Sequence, residues 1–403
     1  MKKIFYLIYI LLISSCNKGN ETCNDSTTEL KVLIEAYQNH EGYDKKEHPL
    51  GIQTREYYKN EAEFAKEQLQ YFECINLDVL TETEQISAEL LKFVLQDKID
   101  FYEFEQFLNP LLSDSGFHSS LNYMVRPLTD PKACIDYLNK LNAIPEYVDQ
   151  GLKNLREGLD KGVSQPRVIF NGYESTYDKH ILDNFKDNFF YSPFKSLPES
   201  LSETKKDSIL IAAKDAIEKS VIPEFKRIKM FFETEYLPKT RTSLGVSETP
   251  RGNEWYQNRI NFYTTSKEYS AEDIHQIGLN EVARIKSQME QIILDLEFDG
   301  SFEDFFRFLR TDEQFYAKTP SELLMIARDM SKRAYAQLNC LYNKLHRKPF
   351  AVAHVPEAIA PKYTKVLYVR TSKYCTVPGY YWVNTYDLPS RTFYTMQALT
   401  VNE

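Results

Sequence analysis

The chain has 403 residues, of which 42% are apolar, 27% charged and 14% aromatic, the proportions of a globular protein with a large core. Its net charge of −9 comes with no basic stripe, which excludes the clustered lysines and arginines that nucleic-acid binding needs. The 13 glycines and 17 prolines fall well below the usual share of about 12%, against an all-β chain with frequent tight turns.

In chain order, the first signal is an export segment. Lys2 and Lys3 precede an apolar run from Ile4 to Ile13, and Ile13-Ser14-Ser15-Cys16 fits a lipobox. The run is roughly half the twenty or so residues that span a bilayer as a helix. Residues 1–15 therefore read as a cleaved lipoprotein signal, with Cys16 the lipid attachment site. An ordinary secretory signal with an accidental cysteine is the bland alternative. The lipid would fix the protein to a membrane of the cell envelope, periplasmic or outer-membrane associated. Residues 16–28 are polar and read as a tether, and no linker interrupts the body from Glu29 to Glu403.

That body reads as mostly helical. Between Thr81 and Pro110 the residues Ile86, Leu90, Phe93, Leu95, Phe101, Phe104 and Phe107 approximate one helical face. Asp130 to Gly162 continues helical, and Ser200-Leu-Ser-Glu203 suggests a capping box before a helix to Tyr236, bent near Pro223. Ser270 starts the clearest helix, with Ile274, Gly278, Val282, Ile285, Met289, Ile292 and Leu296 as its buried stripe. Another starts at Thr319-Pro320 and runs through Leu345, closed by Arg347, Lys348 and Pro349. From Val366 to Tyr386 the β-branched and aromatic content indicates a small hairpin or sheet, with Val377-Pro378-Gly379 as its turn. Asp387 to Arg391 then opens a last helix. Phe393, Met396, Leu399 and Val401 keep helical spacing to Glu403 with no stop signal, so the sequence is expected to end inside an element, leaving Met396 and Leu399 partly uncovered.

Local chemistry is sparse. The cysteines are scattered with no Cys-x-x-Cys pair, and no two of the seven histidines stand three or four residues apart. His275 beside its stripe reads as a solvated or satisfied histidine. No nucleophile elbow, phosphate loop or dinucleotide fingerprint is present.

One stretch is specific. Pro378-Gly379-Tyr380-Tyr381-Trp382-Val383-Asn384-Thr385-Tyr386-Asp387-Leu388-Pro389-Ser390-Arg391, followed by Met396 to Glu403, resembles the bacterial domain-of-unknown-function 885 family. Its members carry Tyr-Val-Asn-Thr-Tyr-Asp-Leu-Pro-Ser-Arg leading into a helix with His-Glu-x-x-Pro-Gly-His-His. Ile274 to Ile285 also resembles a recurring helix of that family. The resemblance implies a mostly α, long-helix metallopeptidase-like (gluzincin-like) architecture, with a short sheet over the active-site helix and zinc held by histidines and a glutamate.

By that resemblance Glu403 falls on the motif glutamate and would be the general base, taking a proton from metal-activated water. Asn402 falls on the first histidine, and an amide is a poor zinc ligand beside imidazole. The Pro-Gly-His-His half is not in this sequence, so zinc is implied for the family but no metal site is expected in this chain. Trp382, Asn384, Tyr386 and Arg391 would line the cleft as substrate contacts, the strand pairing with an extended peptide. Arg391 pairing with nearby carboxylates and Tyr386 packing are the bland alternatives. The expectation is the N-terminal portion of an exported, lipid-anchored zinc-metallopeptidase-like protein, inactive as given. A non-catalytic peptide- or partner-binding lipoprotein is the alternative, with a purely structural envelope protein behind it.

Overall fold

The computed structural model describes residues 25–112, 115–345, 348–357, 359–370 and 378–403. The expected signal, Cys16, Cys23, His346, Arg347, Cys375 and Val377 lie outside them. The architecture is mostly helical, with one three-stranded sheet near the C-terminus. No described helix is long and apolar enough to cross a membrane. The chain clusters into two compact units, divided in sequence between Phe107 and Leu108.

The first unit contains α1 (Ser26–Asn39), α2 (Arg55–Phe72) and α3 (Glu82–Glu103). α1 starts inside the stretch expected as tether, because the Asp25 carboxylate caps its first turn by accepting from the Thr28 amide. The helix expected after Thr81 is α3, opened by a capping box between Thr81 and Glu84. Its buried face is Ala88, Leu91, Leu95 and Ile99, while Ile86 and Leu90 are exposed. The long aromatic run had shifted the expected face by part of a turn. At Glu61, burial would push the carboxyl up, but hydrogen bonds from Lys98 and His40 outweigh it and hold the group below the usual range.

The second unit begins its regular helices with α4 (Pro131–Asn142) and α5 (Ile144–Asp160). They are separate because Pro145 has no amide to continue α4 and suits the first turn of α5 instead. The helix expected from Ser200 is capped at Ser202, with no side-chain cap bond and no capping box. It runs as α6 (Glu203–Ala216), a π turn Ile217–Val221, α7 (Ile222–Phe231) and a second π turn Phe232–Tyr236.

Both π turns stand immediately before a proline. The Ile222 amide reaches back to Ile217 and the Leu237 amide to Phe232, just ahead of Pro223 and Pro238. A proline ring collides with the carbonyl four residues back, and the wider turn relieves that collision without ending the helix. The second π turn also brings Phe231, Phe232 and Tyr236 into one buried aromatic core with Phe170, Tyr173 and Tyr177.

After α8 (Gly252–Thr264) come α9 (Ala271–Asp295), α10 (Phe302–Thr311) and α11 (Pro320–Leu341). The starts match the sequence: Ser270 and Asp273 form a capping box, and Thr319 caps α11 ahead of Pro320. The stripe of α9 is not buried as expected. Val282 is 66% and Ile292 52% exposed, and Ile293 is the one buried residue of the helix. A helical apolar period marks a face that favours cover; it does not supply the cover.

The sheet comprises β1 (Phe350–His354), β2 (Val366–Val369) and β3 (Gly379–Val383) in the order β1-β3-β2. The expected hairpin is the antiparallel pair β2 and β3, while β1 joins β3 in parallel. After a 3-10 turn at Leu388–Ser390, α12 spans Phe393–Asn402. One face of the sheet, with Val352, Val366, Tyr381 and Val383, packs on Leu323 and Ala327 of α11 and Met396 of α12. Met396 is therefore buried rather than partly uncovered, and Leu399 packs at the margin of the same cluster.

Candidate functional site

The site is built around the free edge of β2. The Asn384 amide donates to the Lys365 carbonyl, and that register makes Leu367 and Val369 the residues hydrogen-bonded to β3. Val366 and Tyr368 therefore turn their backbone groups outward, where no described strand pairs with them. Glu403, at the end of α12, meets this edge: its Oε2 accepts from the Tyr368 amide at 2.5 Å. Beside it, Tyr381 Oη and Thr400 Oγ1 lie 3.1 Å apart, tying β3 to α12.

This corner opens into a groove of about 940 Å³, walled by Leu338 and Leu341 of α11, Phe350 of β1, and Tyr368, Gln397 and Glu403. Gly379 makes room for it. A side chain there would begin 2.0 Å from Tyr368 Oη, so only glycine lets the Tyr368 ring lie across β3 toward the groove.

Of the residues the sequence singled out, Glu403 lines the groove, and Trp382, Asn384, Tyr386 and Arg391 do not. Trp382 points to the opposite face of the sheet, edge-on to Tyr363 with ring centroids 5.8 Å apart, near Val355 and Ile359. Tyr386 is exposed. Asn384 is completely buried: its Nδ2 donates to the carbonyls of Ala360, Tyr363 and Thr364 at 2.8, 3.0 and 3.3 Å, and its Oδ1 accepts from the Tyr386 amide at 3.0 Å. Arg391 Nε donates to the Asn384 carbonyl at 3.1 Å; burial pulls its guanidinium below the usual range, partly offset by Asp387.

Asn384 and Arg391 thus brace the corner that holds β3 and the loop before β2. Asn384→Ala strips a donor from buried carbonyls and is expected to lower stability by about 2 kcal/mol, read as a lower denaturation midpoint. An unchanged midpoint would show that the corner stands without its amide.

The described residues do not fit a zinc ion. Among the described residues no three His, Cys, Asp or Glu side chains gather to hold a metal. Asn402 is exposed, and the carboxylate of Glu403 is turned to the Tyr368 amide. Cys74, Cys134 and Cys340 are free thiols.

Tyr368, Tyr381, Phe350 and Leu338 were not singled out from the sequence. In Val366-Leu367-Tyr368-Val369 both faces are apolar or aromatic, so no alternation tells groove from core. Phe350-Ala-Val-Ala-His354 follows Pro349 and carries a strand signal in Phe350 and Val352, overlooked because the preceding Lys348-Pro349 read as a helix stop.

Two solved structures share the fold. A candidate lipoprotein of Colwellia psychrerythraea is 18% identical with a TM-score of 0.72, the match covering 94% of this chain and 68% of that one. A candidate lipoprotein of unknown function from Shewanella oneidensis is 15% identical with a TM-score of 0.51, over 96% of this chain and 70% of that one. A comparison with curated proteins found no match. The model of the family described as "Bacterial protein of unknown function (DUF885)" matches residues 36–403, which contain the second compact unit, residues 36–107 of the first and the whole of the groove; the chain belongs to that family.

Proposed function

We propose that the chain is the peptide-binding body of an exported lipoprotein of the cell envelope, anchored through Cys16, which takes an extended peptide along the free edge of β2. The observation that carries this reading is the Glu403 carboxylate on the outward Tyr368 amide above an apolar groove. A backbone donor at a strand edge is what an incoming strand pairs with, and pockets beside it read alternate side chains. Glu403 occupies the place of a peptide carbonyl, so binding displaces it.

The signal and lipobox support export, as does the likeness to two candidate lipoproteins. In the test, the mature chain is titrated with a short fluorescent peptide of alternating threonine and valine, followed by anisotropy. The same peptide N-methylated at every second residue should bind at least roughly tenfold more weakly, having lost the strand hydrogen bonds. Glu403→Ala should bind the unmodified peptide more tightly. Equal affinity for the two peptides would refute pairing at an edge.

The second reading, a zinc-dependent peptide hydrolase, is favoured by the place of Glu403 alone: the residue that resemblance marks as general base lies beside the strand edge that would hold the substrate. It requires metal ligands other than the described residues. Chelator-sensitive cleavage of the peptide, lost in Glu403→Ala, would establish it; intact peptide after long incubation leaves the binding reading.

A further inference from the structure

The charges around the groove run against those of the chain. Overall, 58 Asp and Glu outweigh 49 Lys and Arg. Among the described residues that line the groove, Arg333, Lys348 and Arg370 face one carboxylate, Glu403, which is spent on the Tyr368 amide. The three cations come from separate elements: Arg333 from the second half of α11, Lys348 from the approach to β1, and Arg370 from just past β2. Arg370 stands two residues beyond Tyr368, which in extended backbone puts both side chains on one face, and both line the groove. On the outward edge of the same segment, Arg126 Nη1 donates to the Arg370 carbonyl at 3.0 Å. Among the described residues no carboxylate pairs with the guanidinium of Arg126 or Arg370. Arg333 pairs with Asp329 one turn back on its own helix, Nε to Oδ2 at 2.8 Å, with the two side chains 64% and 67% exposed. A pair so exposed is weak, and it leaves the outer guanidinium nitrogens open to a ligand.

We propose that the groove selects acidic peptides, an extended chain that lays apolar side chains on Leu338, Leu341 and Phe350 while its carboxylates meet Arg333, Lys348 and Arg370. This selection rests on the strand-edge reading of β2 and adds the class of peptide to it. Cations gathered from three elements around apolar walls, with no carboxylate of the described groove left to neutralise them, repel a basic peptide and draw an acidic one. A guanidinium fork takes a carboxylate through two parallel hydrogen bonds, so Arg333 and Arg370 fix its place as well as its charge. The selection persists when a peptide displaces Glu403, because three cations still face one carboxylate. The outward Tyr368 amide beside them favours a peptide backbone over a lipid headgroup as the carrier of that negative charge.

The test titrates the mature chain with threonine–valine peptides that carry a pair of adjacent glutamates at one end or the other, and with counterparts that carry a pair of lysines. Adjacent residues of a strand face opposite sides, so one of each pair faces the groove, and the two placements cover both strand directions. At low salt the better glutamate peptide should bind at least roughly tenfold more tightly than its lysine counterpart, and the difference should shrink as salt screens it. The charge-reversed double variant Arg333→Glu, Arg370→Glu, in which both side chains are exposed, should invert the order. Glutamate peptides that bind no more tightly than their lysine counterparts, or a preference that the double variant leaves unchanged, overturn the proposal. If N-methylation still weakens binding in those cases, the strand reading stands without it. An acid preference that the double variant inverts, in peptides whose N-methylated forms bind equally well, supports the cationic selection and refutes pairing at the edge. Binding of anionic vesicles that the double variant abolishes and the glutamate peptide fails to displace would assign the cations to a membrane, and a doubled mass of the chain that the same variant abolishes would assign them to a second copy; either result overturns the proposal.

Discussion

Phe232→Ala is expected to destabilise the second unit by about 4 kcal/mol, the cost of removing a fully buried aromatic from a core that cannot close over the space. Phe232 is completely buried at the start of the second π turn. Its ring stacks on Tyr177 at 5.7 Å and meets Tyr173, Phe231 and Tyr236 edge-on between 5.3 and 5.6 Å. Those neighbours come from the 3-10 turns around residues 173–180, from α7 and from the second π turn, so the cavity would loosen the joint between them. Denaturant unfolding followed by circular dichroism reads the loss; a shift below about 1 kcal/mol would mean that this core repacks, as volume-tolerant cores do.

Mild acid should act on the same core. His118 and His180 are fully buried, His118 bonded through Nε2 to Thr176 Oγ1 at 2.9 Å. Neither ring nitrogen of His180 has a partner among the described protein atoms. Burial, aided by the charge of Lys179, pushes His118 down to about 3 and His180 well below its usual value. Burial likewise pulls the Lys179 ammonium down to about 8.

Because both folded histidine values lie below the unfolded one near 6.5, the unfolded chain takes up protons first. Their contribution is fully present above about pH 6.5 and is lost as pH falls toward the folded values, at about 1.4 kcal/mol per pH unit for each histidine. The urea midpoint should therefore fall between about pH 7 and pH 5. Carboxylates held low by partners, such as Glu61, lose their contribution only at more acid pH. His118→Gln should flatten the dependence between pH 7 and 5, and a wild-type midpoint that stays constant over that range would contradict the burial of these rings in solution.

Much of the fold was legible in local signals. Helices begin after Thr81, Ser270 and Thr319 as expected, and in each the side-chain oxygen caps an otherwise unpaired amide, a local interaction that later packing leaves intact, whereas the capping box expected at Ser200 to Glu203 does not form. The β2 and β3 hairpin was legible in its β-branched and aromatic content. What failed depended on distant partners. The parallel strand β1 pairs across a crossover that no local pattern announces, and the stripe of α9 has an unmistakable period but no cover.

The site was legible in part for the same reason. Resemblance marked Glu403, which lines the groove, and also Asn384 and Arg391, which hold the corner behind it. The groove walls themselves come from α11, β1 and β2, segments with no motif, and only the three-dimensional register identifies Tyr368 as the outward donor.

The central claim is that the β2 edge receives a peptide, and its most direct test is the backbone amide spectrum of β2 in a deuterated, nitrogen-15-labelled chain during titration with the threonine–valine peptide. The amides of Val366 and Tyr368, which face outward, should shift strongly, and those of Leu367 and Val369, which bond to β3, should shift little. Saturating peptide that leaves the Tyr368 amide unmoved, or that shifts all four amides alike, would contradict strand pairing at this edge.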